Sequence, residues 1–143
     1  MGKVILIGGV GSGKTTLANR INGVQGETTK TQNIEYTEAT IDTPGEYLED
    51  KSFKYALIVT SYDADTVVFV QDATNERFSY SPGQSAMFVQ AVYGVVTKTD
   101  IADEAMVSRA ADMLKLAGVE KVFCVSALTG AGMADFLQTI DAV

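Results

Sequence analysis

The sequence predicts an α/β domain of three layers, with a mostly parallel central sheet and helices on both of its faces. Continuous apolar runs recur at residues 3–8, 66–71, 91–96 and 120–125, the pattern expected of strands buried on both faces of a parallel sheet. Segments of helical period lie between them, and a glycine-rich stretch at 8–13 separates the first run from the first helical segment. This strand–helix alternation is that of a doubly wound sheet, whose ligands bind beyond the carboxyl ends of the strands. A chain of 143 residues is sized for one domain, expected over 1–143, and can bury a core without cross-links.

Taken in order, Val4-Ile5-Leu6-Ile7 opens the first strand, and Leu17, Ala18 and Ile21 give residues 14–22 one apolar helical face. Residues 33–37 and 40–42 read as two short strands, and 53–62 as a helix or its start. After the strand at 66–71, Pro82-Gly83 marks a loop before a short helix around 85–90. Beyond the strand at 91–96, residues 103–116 carry Ala105, Met106, Ala110, Met113 and Leu114 on one face, with Ala117 just beyond and Gly118 as a stop. The run at 120–125 contains Cys124, read as a buried strand residue. Gly130 and Gly132 make the turn before a last helix at 133–140. There is no internal repeat, linker or low-complexity segment.

Composition removes several function classes. Hydrophobic residues at 46% and charged residues at 20% suit a folded domain rather than a disordered chain. A net charge of −7 without a clustered basic face argues against a nucleic-acid partner or an anionic membrane surface. With no histidine, imidazole acid–base catalysis and histidine metal sites are excluded. Cys124 is the single cysteine, so no internal disulfide forms and a reduced, cytoplasmic setting is expected. The first apolar run is too short for a signal core or a membrane span, and Leu6 stands where myristoylation requires Ser or Thr. Neither export, lipid anchoring nor membrane insertion is expected.

The strongest motif is Gly8-Gly9-Val10-Gly11-Ser12-Gly13-Lys14-Thr15, which matches the P-loop pattern GxxxxGK(S/T) and lies between a predicted strand and a predicted helix. Glycines let successive backbone N–H groups converge on phosphate oxygens, and the following helix adds a partial positive charge. Lys14 is placed to reach the β- and γ-phosphates, and the Thr15 hydroxyl suits Mg²⁺, which takes hard oxygen ligands. Thr16 completes the nucleotide-contacting set in the first helical turn. The P-loop alone does not choose between GTP and ATP.

Later motifs bear on that choice. Asp42-Thr43-Pro44-Gly45 ends a short strand and offers a carboxylate for the metal and a glycine whose N–H can approach the γ-phosphate; the competing reading is a plain β-turn. Thr97-Lys98-Thr99-Asp100 resembles the guanine-specificity motif NKxD, with Thr97 in place of Asn. A carboxylate at Asp100 accepts from the N1 and N2 donors of guanine, whereas adenine has an acceptor at N1 and no 2-amino group. Alternatively, Asp100 caps the helix that opens near residue 103. Ser126-Ala127-Leu128 stands where an SA-type loop presents backbone N–H to guanine O6. Taken together, the four motifs follow the GTPase order, each after a predicted strand.

On these motifs the whole chain resembles a Ras-like GTPase. More narrowly it is similar to the ethanolamine-utilisation EutP and propanediol-utilisation PduV family associated with bacterial microcompartments. The narrower likeness lies in Lys30-Thr31-Gln32, Ile41-Asp42-Thr43-Pro44-Gly45-Glu46-Tyr47-Leu48-Glu49, Ala56-Leu57-Ile58-Val59-Thr60, Val70-Gln71-Asp72-Ala73-Thr74 and Gly94-Val95-Val96-Thr97-Lys98. The resemblance implies a cytoplasmic bacterial protein acting with ethanolamine or diol catabolism, with microcompartment shell or enzyme proteins as partners. It also makes Thr31 the switch threonine that touches Mg²⁺ and γ-phosphate, with Thr28 and Thr29 as rivals. Two departures stand out: Thr97 weakens the usual side-chain tie between base loop and P-loop, and Leu128 replaces the usual Lys. For Asp72 and Thr74 the better reading is a cap at a strand end.

The function expected is a Mg²⁺-dependent GTP/GDP-binding protein, ATP being an alternative nucleotide, that slowly hydrolyses GTP. Lys14, Thr31, Gly45 and Glu46 are its catalytic candidates, and Thr15, Thr31 and Asp42 its metal ligands. Glu46 occupies the place where many such enzymes carry a water-orienting glutamine; the competing reading is a residue that points to solvent or begins a helix, where an acidic side chain favours the N-terminus. Two alternatives are phosphoryl transfer to a small acceptor such as acetate and a nucleotide-controlled shell or interaction module.

Overall fold

The structure, a computed structural model, describes residues 3–23, 35–36, 40–45, 48, 50–77 and 80–141. Six strands form one sheet: β1 (Val4–Gly8), β2 (Glu35–Tyr36), β3 (Thr40–Asp42), β4 (Thr66–Asp72), β5 (Ala91–Thr97) and β6 (Val122–Cys124), in the spatial order β2-β3-β1-β4-β5-β6. All neighbours are parallel except β2, which runs antiparallel to β3. Helices α1 (Lys14–Asn22), α2 (Lys54–Ser61), α3 (Glu104–Leu116) and α4 (Met133–Asp141) cover the faces.

Side-chain alternation in the central strands builds two cores. Val4 and Leu6 of β1, with Val68 and Val70 of β4, pack beneath α1 and α4 against Leu17, Ile21, Phe136 and Ile140. Ile5 and Ile7, with Val67 and Phe69, face the other way toward Leu57 of α2 and Ala110 and Leu114 of α3. β1 and β4 are buried along their whole length, so their runs read as continuously apolar. The expected three-layer arrangement is what the structure has.

Several elements differ from expectation. The short helix expected around 85–90 is a single 3-10 turn at Gln84–Met87, so β4 and β5 are joined across 73–90 without an α-helix among the described residues. This connection is tied to α3 instead: the Gly83 and Ser85 N–H groups donate to the Leu116 and Ala117 carbonyls at 2.9 Å each, satisfying acceptors that a helix end leaves open. A 3-10 turn, Lys51–Phe53, precedes α2. The last strand is shorter than its apolar run, although the Glu120 and Val125 N–H groups still donate to Val92 and Val96 of β5 at 2.8 Å. Cys124 is exposed, not buried: β6 is the sheet edge, where Phe123 and Val125 point into the core and the residue between them points out. Partial burial pushes its thiol above the usual range. Of the strand expected at 33–37, β2 is the described part.

Candidate nucleotide-binding site

The four motifs converge at the carboxyl ends of β1, β3, β5 and β6. Gly8 ends β1, and residues 9–13 turn into α1, whose first residue is Lys14. Gly13 holds φ at 97° to start that helix, a left-handed conformation that glycine adopts at no steric cost. Lys14 is buried, and its Nζ donates to the carbonyl oxygens of Gly8 at 2.9 Å and Gly9 at 3.0 Å. The chain thus folds its one P-loop ammonium onto the loop itself. Ser12 is buried beside it, and Thr16 sits half-buried in the same helical turn.

On the metal side, the Thr15 hydroxyl donates to Asp42 Oδ2 at 2.7 Å, although 27 residues separate them. Thr43 fixes this strand end by donating through Oγ1 to the Leu6 carbonyl at 2.8 Å. Gly45 then passes so close to the P-loop that an added Cβ would collide with the Val10 N and Cα atoms and the Gly9 carbonyl carbon. Hydroxyl and carboxylate are the hard oxygens that Mg²⁺ prefers, and an ion that keeps several waters needs few protein ligands. No group of three or more His, Cys, Asp or Glu is gathered among the described residues; the Thr15–Asp42 pair offers two oxygens of the kind such an ion takes.

On the base side, Thr97 corrects the sequence reading. Its hydroxyl donates to the Ser12 carbonyl at 2.6 Å, so the shorter side chain makes the tie between base loop and P-loop that its identity was expected to weaken. The reach suffices because Thr97 is the last residue of β5 and buried against Gly13. Lys98 follows with φ at 60°, the one described non-glycine residue in the left-handed region. Its Nζ donates to the Gly11 carbonyl at 2.9 Å and pairs with Asp72 Oδ2 at 2.7 Å. Asp72 Oδ1 in turn accepts from the Thr74 N–H and hydroxyl at 2.8 and 2.6 Å. Asp72 and Thr74 do form the expected strand-end cap, and Asp72 also holds Lys98.

Asp100 lies exposed in the 3-10 turn Thr99–Ile101. The helix cap considered for it belongs to Asp103, whose Oδ1 accepts from the Met106 N–H at 2.8 Å. Ser126, Ala127 and Leu128 follow β6 in a tight loop, Ser126 being buried and Leu128 exposed. Thr31, with its rivals Thr28 and Thr29, and Glu46 lie outside the described residues.

Two contributors were not read from the sequence. Arg20, in the last turn of α1, donates through Nε to the Ala127 carbonyl at 2.6 Å and through Nη2 to that of Leu128 at 3.3 Å. Tyr80 is buried, and its hydroxyl lies 2.7 Å from the Val70 and 2.9 Å from the Ile7 carbonyl, at the strand ends beneath the P-loop. Burial pushes its phenol well above the usual range. A lone arginine in the last turn of a P-loop helix was the available signal for the first. Nothing in local pattern marks the second.

The family described as "Ethanolamine utilisation - propanediol utilisation" matches residues 1–142. The "Propanediol utilization protein PduV" of Citrobacter freundii is 36% identical over 142 residues, 99% of this chain and 95% of that one. The "Probable acetate kinase EutP" of Salmonella typhimurium is 35% identical over 105 residues, 72% of this chain and 66% of that one. Among solved structures, Era in complex with MgGDPNP and nucleotides of 16S ribosomal RNA superposes with a TM-score of 0.71 at 23% identity, over 97% of this chain and 55% of that one.

Proposed function

The chain belongs to the PduV-EutP family of ethanolamine- and propanediol-utilisation proteins, and from that premise we propose that it is a Mg²⁺-dependent GTP-binding protein that hydrolyses GTP slowly. The observation that carries the reading is the pair of hydrogen bonds from Thr97 to Ser12 and from Lys98 to Gly11, which fasten the base-reading loop to the phosphate-binding loop.

In this reading the loop amides of residues 9–13 and the Lys14 ammonium hold the β- and γ-phosphates. Thr15 and Asp42 hold Mg²⁺, which when bound neutralises phosphate charge. Asp100 accepts from N1 and N2 of guanine. Water attacks the γ-phosphorus, the bond to the β–γ bridging oxygen breaks, and GDP and inorganic phosphate leave. Thr31, Gly45 and Glu46 are the candidates to act on that step. Glu46 accepts a hydrogen bond from water but, ionised, donates none to phosphoryl oxygen, so the step is slow. Its setting is the bacterial cytoplasm, at a microcompartment shell or its enzymes, within ethanolamine or propanediol use.

Competition binding of GDP, GTP, ADP and ATP with and without Mg²⁺ tests the reading. Guanine nucleotides are expected to win, and the triphosphate to gain more from Mg²⁺. Equal binding of both bases overturns it. The name of the Salmonella relative favours a second reading, in which a carboxylate oxygen of acetate attacks the γ-phosphorus and the nucleoside diphosphate leaves. Acetyl phosphate formed from nucleotide and acetate would establish that one.

A further inference from the structure

The loop at 126–131 is hydrogen-bonded almost to completion. The Ser126 N–H donates to the Ala131 carbonyl at 2.9 Å, and the Gly130 N–H to the Ser126 carbonyl at 2.8 Å. The Thr129 N–H donates to Ser126 Oγ at 3.1 Å, and the Ala131 N–H to Thr129 Oγ1 at 3.2 Å. Of the six backbone donors only those of Ala127 and Leu128 have no partner among the described residues. Of the three loop carbonyls that no backbone group takes among the described residues, Ala127, Leu128 and Thr129, the first two are held by Arg20.

In a trans peptide the C=O and N–H point in opposite directions from one plane. Holding the Ala127 carbonyl on the guanidinium therefore fixes the Leu128 N–H away from it, and the Ser126–Gly130 bond does the same for the Ala127 N–H. A planar fork with two donors on adjacent carbonyls sets the loop's orientation in a way a flexible ammonium does not. We propose that Arg20 is the positioning residue of base recognition: it aims the paired Ala127 and Leu128 amides at the carbonyl of a 6-oxopurine, so that base choice depends on a residue of the phosphate-binding helix. The inference rests on the guanine reading above. It narrows that reading to the chemistry at position 6 of the base, separately from Asp100, which reads positions 1 and 2.

The test is equilibrium binding of GDP, IDP and ADP to the full chain and to Arg20→Ala and Arg20→Lys. IDP keeps the 6-oxo group and lacks the 2-amino group, so it follows this loop independently of the amino contact. Arg20→Ala should weaken GDP and IDP together by roughly tenfold, the scale of one hydrogen bond, and leave ADP within about twofold. Arg20→Lys, with one donor site in place of the fork, should fall between, and it carries the same test if Arg20→Ala does not fold. A loss equal for all three nucleotides means Arg20 serves the fold alone and overturns the inference, as does an unchanged preference for GDP and IDP. A parent chain that binds ADP as tightly as GDP removes the guanine reading itself, and this inference with it.

Discussion

Lys14 is a charge held by its own loop: buried, with two carbonyl oxygens at 2.9 and 3.0 Å, it is tied by these bonds to residues 8 and 9 rather than to a distant element. Lys14→Ala should therefore leave the fold intact and weaken GTP by about 100-fold or more, the scale of a lost charged contact to phosphate, as isothermal titration would read. Asp100 is exposed, and the cap of α3 is made by Asp103, so its substitution bears on ligand rather than helix. Asp100→Asn should weaken GDP and strengthen XDP, because Asn donates where Asp accepts and xanthine presents a carbonyl in place of the amino group; competition between the two nucleotides reads the exchange. For Glu46→Gln the expected outcome is a faster single-turnover hydrolysis at matched occupancy, since glutamine both donates and accepts, and an unchanged rate would remove Glu46 from the site. Residue identity made Lys14, Thr15 and Asp42 candidates because phosphate and Mg²⁺ chemistry calls for those types at that spacing, and the structure brings Thr15 and Asp42 together at 2.7 Å. It misled at Thr97, where the distance to Ser12 decides the bond, and at Cys124, where strand position decides exposure.

At the scale of elements, the strands were legible because burial on both faces writes an uninterrupted apolar run, as in β1 and β4. The β4–β5 connection was not: its order comes from Gly83 and Ser85 on the end of α3 and from Tyr80 stacked on Phe69 at 4.6 Å, contacts between segments far apart in sequence that no local period announces. Tyr80 fastens this connection to the ends of β1 and β4. Tyr80→Phe should keep the stacking, leave carbonyls short of a donor, and lower stability by about 1–2 kcal/mol, seen as a lower urea midpoint. The same hydroxyl gives a pH signature. Burial raises its pKa in the folded chain above the unfolded value of about 10, so its contribution is complete below about pH 10 and is lost as pH rises beyond it. The parent should lose stability between about pH 10 and 11 more steeply than Tyr80→Phe.

Over the whole molecule, a net charge of −7 opposes the approach of an anionic nucleotide, while the Lys14 ammonium in the P-loop would attract it at close range. Screening shortens from about 30 Å to about 10 Å between 0.01 and 0.1 M salt, removing long-range repulsion before short-range attraction. The association rate of GTP by stopped flow should rise over that interval; a fall would mean that local cations govern encounter. The order of the sheet has a further consequence, in time. β1 is synthesised before both β3 and β4, yet it lies between them, with Val4 in register with Thr40 and Thr66. A nascent chain emerging from the ribosome holds the complete glycine loop long before either flanking strand exists to support it. The phosphate-binding loop is thus translated before the strands that support it and becomes competent only after residue 72, when the last strand beside β1 has emerged.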